Sequence, residues 1–190
     1  MSTKIEATVE DLYHVPENGK AEIIDGEIVL MPPTGFLPGR KSSRVCRKLE
    51  DYEAETGSGY AIPDNVAFIV NLPRRGRLPS RRSFAPDAAY FIGEIKEPGK
   101  FLEGAPVFAV EVRSEGDYGA GAERKLADKR QDYFDAGTLV VWDFDVLREG
   151  VIKSYRADDP EHPRVFRRGD VADAEPALPG WRVSVDELLN

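Results

Sequence analysis

The chain has almost none of the residues that build disulfides, zinc sites or imidazole catalysis. Cys46 is the only cysteine among 190 residues, so there is no intrachain disulfide and no cysteine-based zinc site. His14 and His162 are the only imidazoles, and both stand in polar, turn-like contexts. This disfavours a zinc hydrolase and leaves a Ser-His-Asp triad few candidates. Any metal would be held mainly by oxygen, which points to Mg²⁺ or Mn²⁺. Long apolar runs are missing as well: none approaches the roughly 20 residues a membrane span needs, and the N-terminus has no apolar signal region. The expectation is no membrane partner and a cytoplasmic enzyme or binding domain. Positive charge is also in short supply. Lys and Arg number 26 against 34 Asp and Glu, a net charge of −8, which argues against a general nucleic-acid binder.

With 41% hydrophobic residues, the chain suits one soluble domain able to bury a substantial core. The basic residues it does have are clustered. Arg40, Lys41, Arg44, Arg47 and Lys48 lie close together, and Arg74, Arg75, Arg77, Arg81 and Arg82 crowd the approach to Pro86-Asp87. An acidic protein can carry local basic surfaces of this kind.

Thr8 with an acid three residues later reads as a capping box opening a short helix. Asp25-Gly26 between two β-prone runs reads as a hairpin turn. From about 39 to 55 the pattern is helical: Val45, Leu49 and Tyr52 share one face, while Arg40, Arg44 and Arg47 share another. Residues 60–62 and 65–70 read as strand, and 71–82, with two prolines, a glycine and five arginines, as an exposed loop. Residues 83–91 and 107–114 are apolar, strand-like runs. A helix from Ala122 to Ala136 stops at Gly137. A hairpin then joins 139–144 to 150–155, and a proline-rich remainder carries strand signals at 164–166 and 181–184 before a short helical tail. The order implies an α/β fold: a mixed sheet with helices on its faces, preceded by a helix and a hairpin.

Two of these strands hold an acid where a buried strand should have none. Asp87 follows Pro86 among Phe84, Ala88, Ala89 and Phe91, and Glu111 interrupts Val107-Phe108-Ala109-Val110 before Val112. Burying a carboxylate costs several kcal/mol unless it is paired, and two acids on neighbouring strands call for a cation between them. Read alone, Asp87 could equally end a strand or cap a turn. Lys129 falls at the edge of the apolar face set by Leu126, Tyr133 and Phe134. It could snorkel to water, or its amine could aim at the acids. Arg113, two residues beyond Glu111, is a second candidate cation. Glu22 is a further acid that could reach the site from the hairpin, although a solvated hairpin acid is the more ordinary reading.

Pro86-Asp87 followed by Glu111-x-Arg113 resembles the Pro-Asp…(Asp/Glu)-x-Lys signature of the restriction-endonuclease-like nuclease superfamily, with arginine in place of lysine. More closely, residues 22–29, Ala85-Pro86-Asp87, residues 110–114, Lys129-x-x-x-Tyr133, Ala136-Gly137 and Val141-Trp142 look like the Uma-two family, whose members are described as restriction endonucleases. The resemblance spans roughly residues 8–156, making 157–190 a C-terminal extension of a single domain over 1–190. It implies a restriction-endonuclease-like central mixed sheet flanked by helices, and a magnesium site at Asp87 and Glu111 with the Val112 carbonyl. It also implies support from Glu22 and a catalytic lysine moved from the strand to the next helix as Lys129, which would account for Arg113. Relatives of this kind often have a histidine at the start of the early helix. Leu37-Pro38-Gly39-Arg40 has none, so that role is absent or taken by Arg40.

The resulting expectation is Mg²⁺- or Mn²⁺-dependent hydrolysis of a DNA phosphodiester. The stripe Arg40, Arg44, Arg47 and the loop Arg74, Arg75, Arg77, Arg81, Arg82 would contact backbone phosphates. Such folds commonly act as homodimers, each protomer cutting one strand. The alternatives are a catalytically inactive nuclease-fold domain that binds nucleic acid or protein, and, more weakly, a metallohydrolase of another substrate such as a nucleotide.

Overall fold

The computed structural model describes residues 6–15, 19–72 and 83–190. The five arginines expected as a basic loop, Arg74 to Arg82, lie outside the described residues. In chain order the elements are α1 (Val9–Tyr13), β1 (Ala21–Ile24), β2 (Glu27–Leu30), α2 (Phe36–Thr56), β3 (Tyr60–Pro63), β4 (Phe68–Ile69), β5 (Ser83–Phe84) and β6 (Ala88–Phe91). There follow β7 (Leu102–Glu103), β8 (Phe108–Val112), α3 (Ala120–Ala136), β9 (Val140–Asp145), β10 (Val151–Arg156), β11 (Asp159–Phe166), β12 (Val171–Asp173), β13 (Arg182–Ser184) and α4 (Val185–Leu189).

Local chemistry sets the boundaries. Thr8 and Asp11 exchange the two hydrogen bonds of a capping box at the start of α1. The β1–β2 turn places Asp25 at φ 54° and Gly26 at φ 72°, the pair of left-handed residues that matches strand twist in a two-residue hairpin. Gly137 ends α3 in the left-handed conformation at φ 110°, which any residue with a Cβ would resist. The strand expected over 65–70 is only β4. Asn65 turns at φ 67°, a conformation asparagine tolerates better than most residues, so the chain leaves β3 through a turn.

The main sheet has six strands in the order β11-β10-β9-β8-β6-β3. It is mixed: β8 and β9 run parallel, joined by α3, while the other neighbouring pairs are antiparallel. A parallel pair needs a crossover, and α3 supplies it. Pro160 and Pro163 sit in β11, an outermost strand, where a missing N–H costs no ladder bond on the open side. Pro63 ends β3, the other outermost strand.

Both faces of the sheet are covered, and the strand pleat sorts residues between them. On one face Ala88, Tyr90, Phe108, Val110, Val112, Val140, Trp142 and Phe144 pack against Val45, Cys46, Leu49 and Tyr52 of α2. On the other, Ala89, Phe91, Ala109 and Val141 pack with Phe68, Phe84 and Tyr133, the last from α3. The acids of β8 and β9 alternate onto this second face. The segment after 156, expected as an extension, contributes β11 to the main sheet and Ala172, Leu178, Trp181, Val183 and Leu188 to the core beneath α2. Trp181 lies 5.3 Å from Trp142 between ring centroids and 5.8 Å from Phe108. Among the described residues no helix is long and apolar enough to cross a membrane.

Because Trp181 closes the core over two central strands, Trp181→Ala should lower stability by about 3–5 kcal/mol. Urea denaturation followed by circular dichroism measures this. An unchanged midpoint would mean that the C-terminal segment is dispensable to the core.

Candidate active site on the α3 face

Asp87 owes its position to the proline before it. The run 83–91 is not one strand: Ser83–Phe84 joins a three-stranded sheet with β4 and β7, and Ala88–Phe91 joins the main sheet. Pro86 has no N–H to give to a ladder, so the chain changes sheets there and Asp87 stands at the entrance to β6. The Asp87 backbone N–H donates to the Val110 carbonyl at 3.0 Å, and the Ser42 hydroxyl of α2 donates to the Asp87 carbonyl. Two elements thus hold the backbone, and the carboxylate faces the α3 side. Its Oδ2 accepts the Val112 backbone N–H at 2.8 Å, and its Oδ1 accepts the Lys20 ammonium at 2.6 Å.

Glu111 lies in β8 next to Asp87's strand. Its Oε1 accepts the Tyr133 hydroxyl at 2.7 Å, and Lys129 Nζ stands 2.8 Å from Oε1 and 2.9 Å from Oε2. The same ammonium is 3.0 Å from Glu22 Oε1. Lys129 and Tyr133 are one helical turn apart on α3, so the i,i+4 spacing delivers an ammonium and a phenol to one carboxylate. Tyr133 is held in turn by stacking on Phe84, ring centroids 4.1 Å apart. Glu22 is 1% exposed and also accepts the Ala85 backbone N–H at 3.1 Å, which ties the hairpin to the segment before Asp87.

Burial pushes the Glu111 carboxyl above the ordinary glutamate range, against the lowering pull of Lys129, and the negative charges of Asp87 and Glu22 push it further in the same direction. Lys20 shows the complementary effect. Burial opposes its charge, but Asp87, Glu111 and Asp64 outweigh that and hold it protonated more firmly than an ordinary lysine. Asp87, Glu111, Glu22 and Lys129 therefore meet at one site. Lys20, Asp64 and the Tyr133 hydroxyl are members of it that sequence reasoning missed. For Lys20 a signal was present: it precedes Glu22 by two residues, and period-two alternation puts both on one side of the hairpin.

Arg113 is elsewhere. Its guanidinium, 4% exposed, makes a two-pronged pair with Asp143, Nε to Oδ1 at 2.6 Å and Nη2 to Oδ2 at 2.7 Å. It also pairs with Glu123 at the start of α3. Among the described interactions none joins it to Asp87, Glu111 or Glu22. Asp143 sits directly beside Glu111 in the parallel register, so two acids share the face and each has its own cation. Val112 contributes its backbone N–H to Asp87, and its side chain packs into the core under α2.

The arginine stripe is split. Arg40 and Arg47 are exposed, whereas Arg44 is half-buried and donates to the Glu187 carbonyl of α4 at 3.1 Å. Arg47 lines a cleft of about 250 Å³ with Ser42, Ser43, Cys46, Glu50, Pro63 and Asp64. Since Ser42 and Asp64 also touch the Asp87 constellation, the cleft opens beside it. Cys46 is no nucleophile there: burial, aided by Glu50 and Glu53, pushes its thiol up to about 11.

The donors suit a hard divalent cation. Glu22, Asp64, Asp87 and Glu111 offer carboxylate oxygens only, and with Lys20 and Lys129 among them four formal negative charges face two positive ones. Among the described residues no three acid, imidazole or thiol side chains already stand at metal-ligand spacing. Asp87 and Glu111 would hold such an ion with water completing its shell, as magnesium commonly prefers.

A mixed sheet covered by helices on both faces, with acids and a helix-borne lysine gathered on one of them, is the architecture of a nuclease-like α/β protein. The structure resembles that of "a putative nuclease belonging to DUF820" from Anabaena variabilis, with a TM-score of 0.72, 18% identity, and coverage of 96% of this chain and 97% of that one. No curated protein matches the chain. Residues 7–186 match the family model Uma2, described as "Putative restriction endonuclease", and the chain belongs to that family. The match runs through the C-terminal segment that completes the core.

Since Asp143 is 2% exposed, Arg113→Met should cost about 3 kcal/mol by leaving a buried carboxylate without its two-pronged partner. Arg113→Met combined with Asp143→Leu should recover much of that loss. Chemical denaturation of both variants reads the difference, and a single variant as stable as the parent would show that the pair is not structural.

Proposed function

We propose that the chain is an endonuclease that hydrolyses DNA phosphodiester bonds with Mg²⁺ or Mn²⁺. The observation that carries this reading is the meeting of Asp87 and Glu111, from adjacent strands, with Lys129 and Glu22 at one point of the α3 face. Asp87 and Glu111, with the Val112 carbonyl, are the proposed metal ligands. When bound there, the ion would supply Lewis-acid polarisation of phosphate and a water of lowered pKa.

The chain's own residues have distinct tasks in this reading. The Val112 N–H and the Tyr133 hydroxyl each hold one oxygen of a ligand carboxylate and so orient it. Lys129 holds an ammonium between Glu111 and Glu22, where it can donate to an incoming phosphate oxygen or orient the attacking water. Glu22, 3.0 Å from that ammonium, fixes its position. Arg40 and Arg47, exposed on α2, provide backbone-phosphate contacts without reading bases, which implies affinity that falls with salt and little intrinsic sequence preference. Arg113 has no catalytic task in this reading, because Asp143 and Glu123 engage its guanidinium. The proposal includes a homodimer in which each protomer cuts one strand of a duplex.

Purified protein should nick or cut DNA in Mg²⁺ or Mn²⁺ and not in chelator. Asp87→Ala and Glu111→Ala should abolish both cleavage and calorimetric metal binding. Lys129→Met should slow cleavage on the order of 10²–10³-fold, the scale of removing one charge-stabilising donor, while metal still binds. The reading is lost if no single-stranded, duplex or branched DNA is cleaved with either metal and the two acid variants bind metal like the parent.

A further inference from the structure

Lys20 stands between two carboxylates, 2.6 Å from Asp87 Oδ1 and 2.7 Å from Asp64 Oδ1, with its side chain 16% exposed. Asp87 has its other oxygen on the Val112 N–H. In this arrangement both Asp87 oxygens are already engaged, and the one that Lys20 covers is held by a removable charge rather than by the backbone. Asp64 differs from Asp87 in a way that matters: its side chain is 35% exposed, against 14%, and it lines the open cleft with Arg47 and Ser43. The two acids are thus an inner and an outer berth for one ammonium.

We propose that Lys20 is a resident counter-ion of the site, which a divalent cation displaces from Asp87 and which Asp64 retains. This rests on the reading that Asp87 is a metal ligand. An inner carboxylate left without a cation would be costly in so buried a place, and Lys20 supplies that cation before metal arrives. Metal entry then exchanges one positive partner of Asp87 for another, and does not require Lys20 to be expelled into water. The lysine needs only to give up one of its two hydrogen bonds, since the Asp64 bond is already made. Held on the outer berth, the ammonium stays against Asp64, which lines the cleft. Lys20 is accordingly a positioning residue, and Lys129 remains the lysine that faces the reacting phosphate.

The experiment is calorimetric titration of the full chain with Mn²⁺, and with Ca²⁺ as a second probe, beside thermal denaturation in chelator. Lys20→Met keeps the aliphatic stem and removes the competitor. It should bind Mn²⁺ at least several-fold more tightly than the parent and melt at a lower temperature in chelator, with much of that loss restored by saturating metal. Lys20→Arg should return both values toward the parent. Asp64→Asn removes the outer berth, so metal binding should weaken several-fold, and the weakening should shrink when Lys20→Met is added, as coupled partners require in a double-mutant cycle. If the parent binds Mn²⁺ and Lys20→Met binds it equally or less tightly, the exchange is refuted while the metal site stands. If Lys20→Met does not fold, an Asp64→Asn affinity equal to the parent's is enough to refute it. Binding by neither parent nor Lys20→Met overturns both this proposal and the metal reading. Binding by Lys20→Met alone supports the exchange in its strongest form.

Discussion

The pairing of Lys129 with Glu111 and Glu22 is the interaction on which the arrangement of this face depends. Glutamates largely buried between the hairpin and the main sheet, Glu22 and Glu111, would each cost several kcal/mol to keep ionised in the absence of partners. One ammonium, delivered by α3, answers both. For this to happen α3 must cross the sheet over β8, the hairpin must fold back to bring Glu22 in, and the segment before Asp87 must lie close enough for the Ala85 N–H to reach Glu22. Those are tertiary commitments of four separate parts of the chain. They converge on a cluster of charges collared by the apolar side chains of Phe84, Tyr133, Ala109 and Val141.

Next to this cluster lies a second one built on a different principle. Asp143, in register with Glu111, is closed off by the planar guanidinium of Arg113, which matches both carboxylate oxygens at once. Such a pair is geometrically fixed and has little capacity to rearrange. Lysine pairs are different: an ammonium is a point charge with three rotatable donors and can trade one carboxylate oxygen for another. The face thus divides into a locked half, Arg113 with Asp143 and Glu123, and an exchangeable half, Lys20 and Lys129 with the remaining acids. Chemistry that requires partners to be swapped belongs in the second half.

Much of the fold could be read from the sequence because its determinants are local. The capping box at Thr8, the Asp25-Gly26 turn, the two apolar helix stripes and the Gly137 stop each act within a few residues. So did the anomaly of Asp87 and Glu111, since an acid in an apolar run is visible without knowing what lies opposite. The Lys129 amine was readable only as a choice between snorkelling and aiming inward, because a lysine at the edge of an apolar stripe fits both. What could not be read is the pairing across long separations. Lys20 meets Asp64 and Asp87 from a different part of the chain, and only the parallel register sets Asp143 beside Glu111. Arg113 was misplaced for the same reason: its position two residues from Glu111 suggested a shared task, and the closer carboxylate on β9 decided otherwise. The arginine stripe on α2 was correct as a helical pattern, yet the packing of α4 took Arg44 out of it.

Arginine at the position where the nuclease signature has lysine invites the view that the site has lost its chemistry. The ion pairs give that arginine a different explanation. A lysine at 113 would offer a single ammonium to Asp143 and Glu123, whereas the arginine matches both carboxylates with directed donors. With residue 113 committed to its neighbours on β9 and α3, the cation for Glu111 has to come from another element. The first turn of α3 is already engaged through Glu123, so Lys129, nearer the middle of the helix, is the one that lies over β8. Arg113 and Lys129 thus divide the cations of this face between Asp143 with Glu123 on one side and Glu111 with Glu22 on the other. Whatever the site does, the largely buried acids Glu111 and Glu22 need an ammonium, and with residue 113 engaged elsewhere Lys129 supplies it.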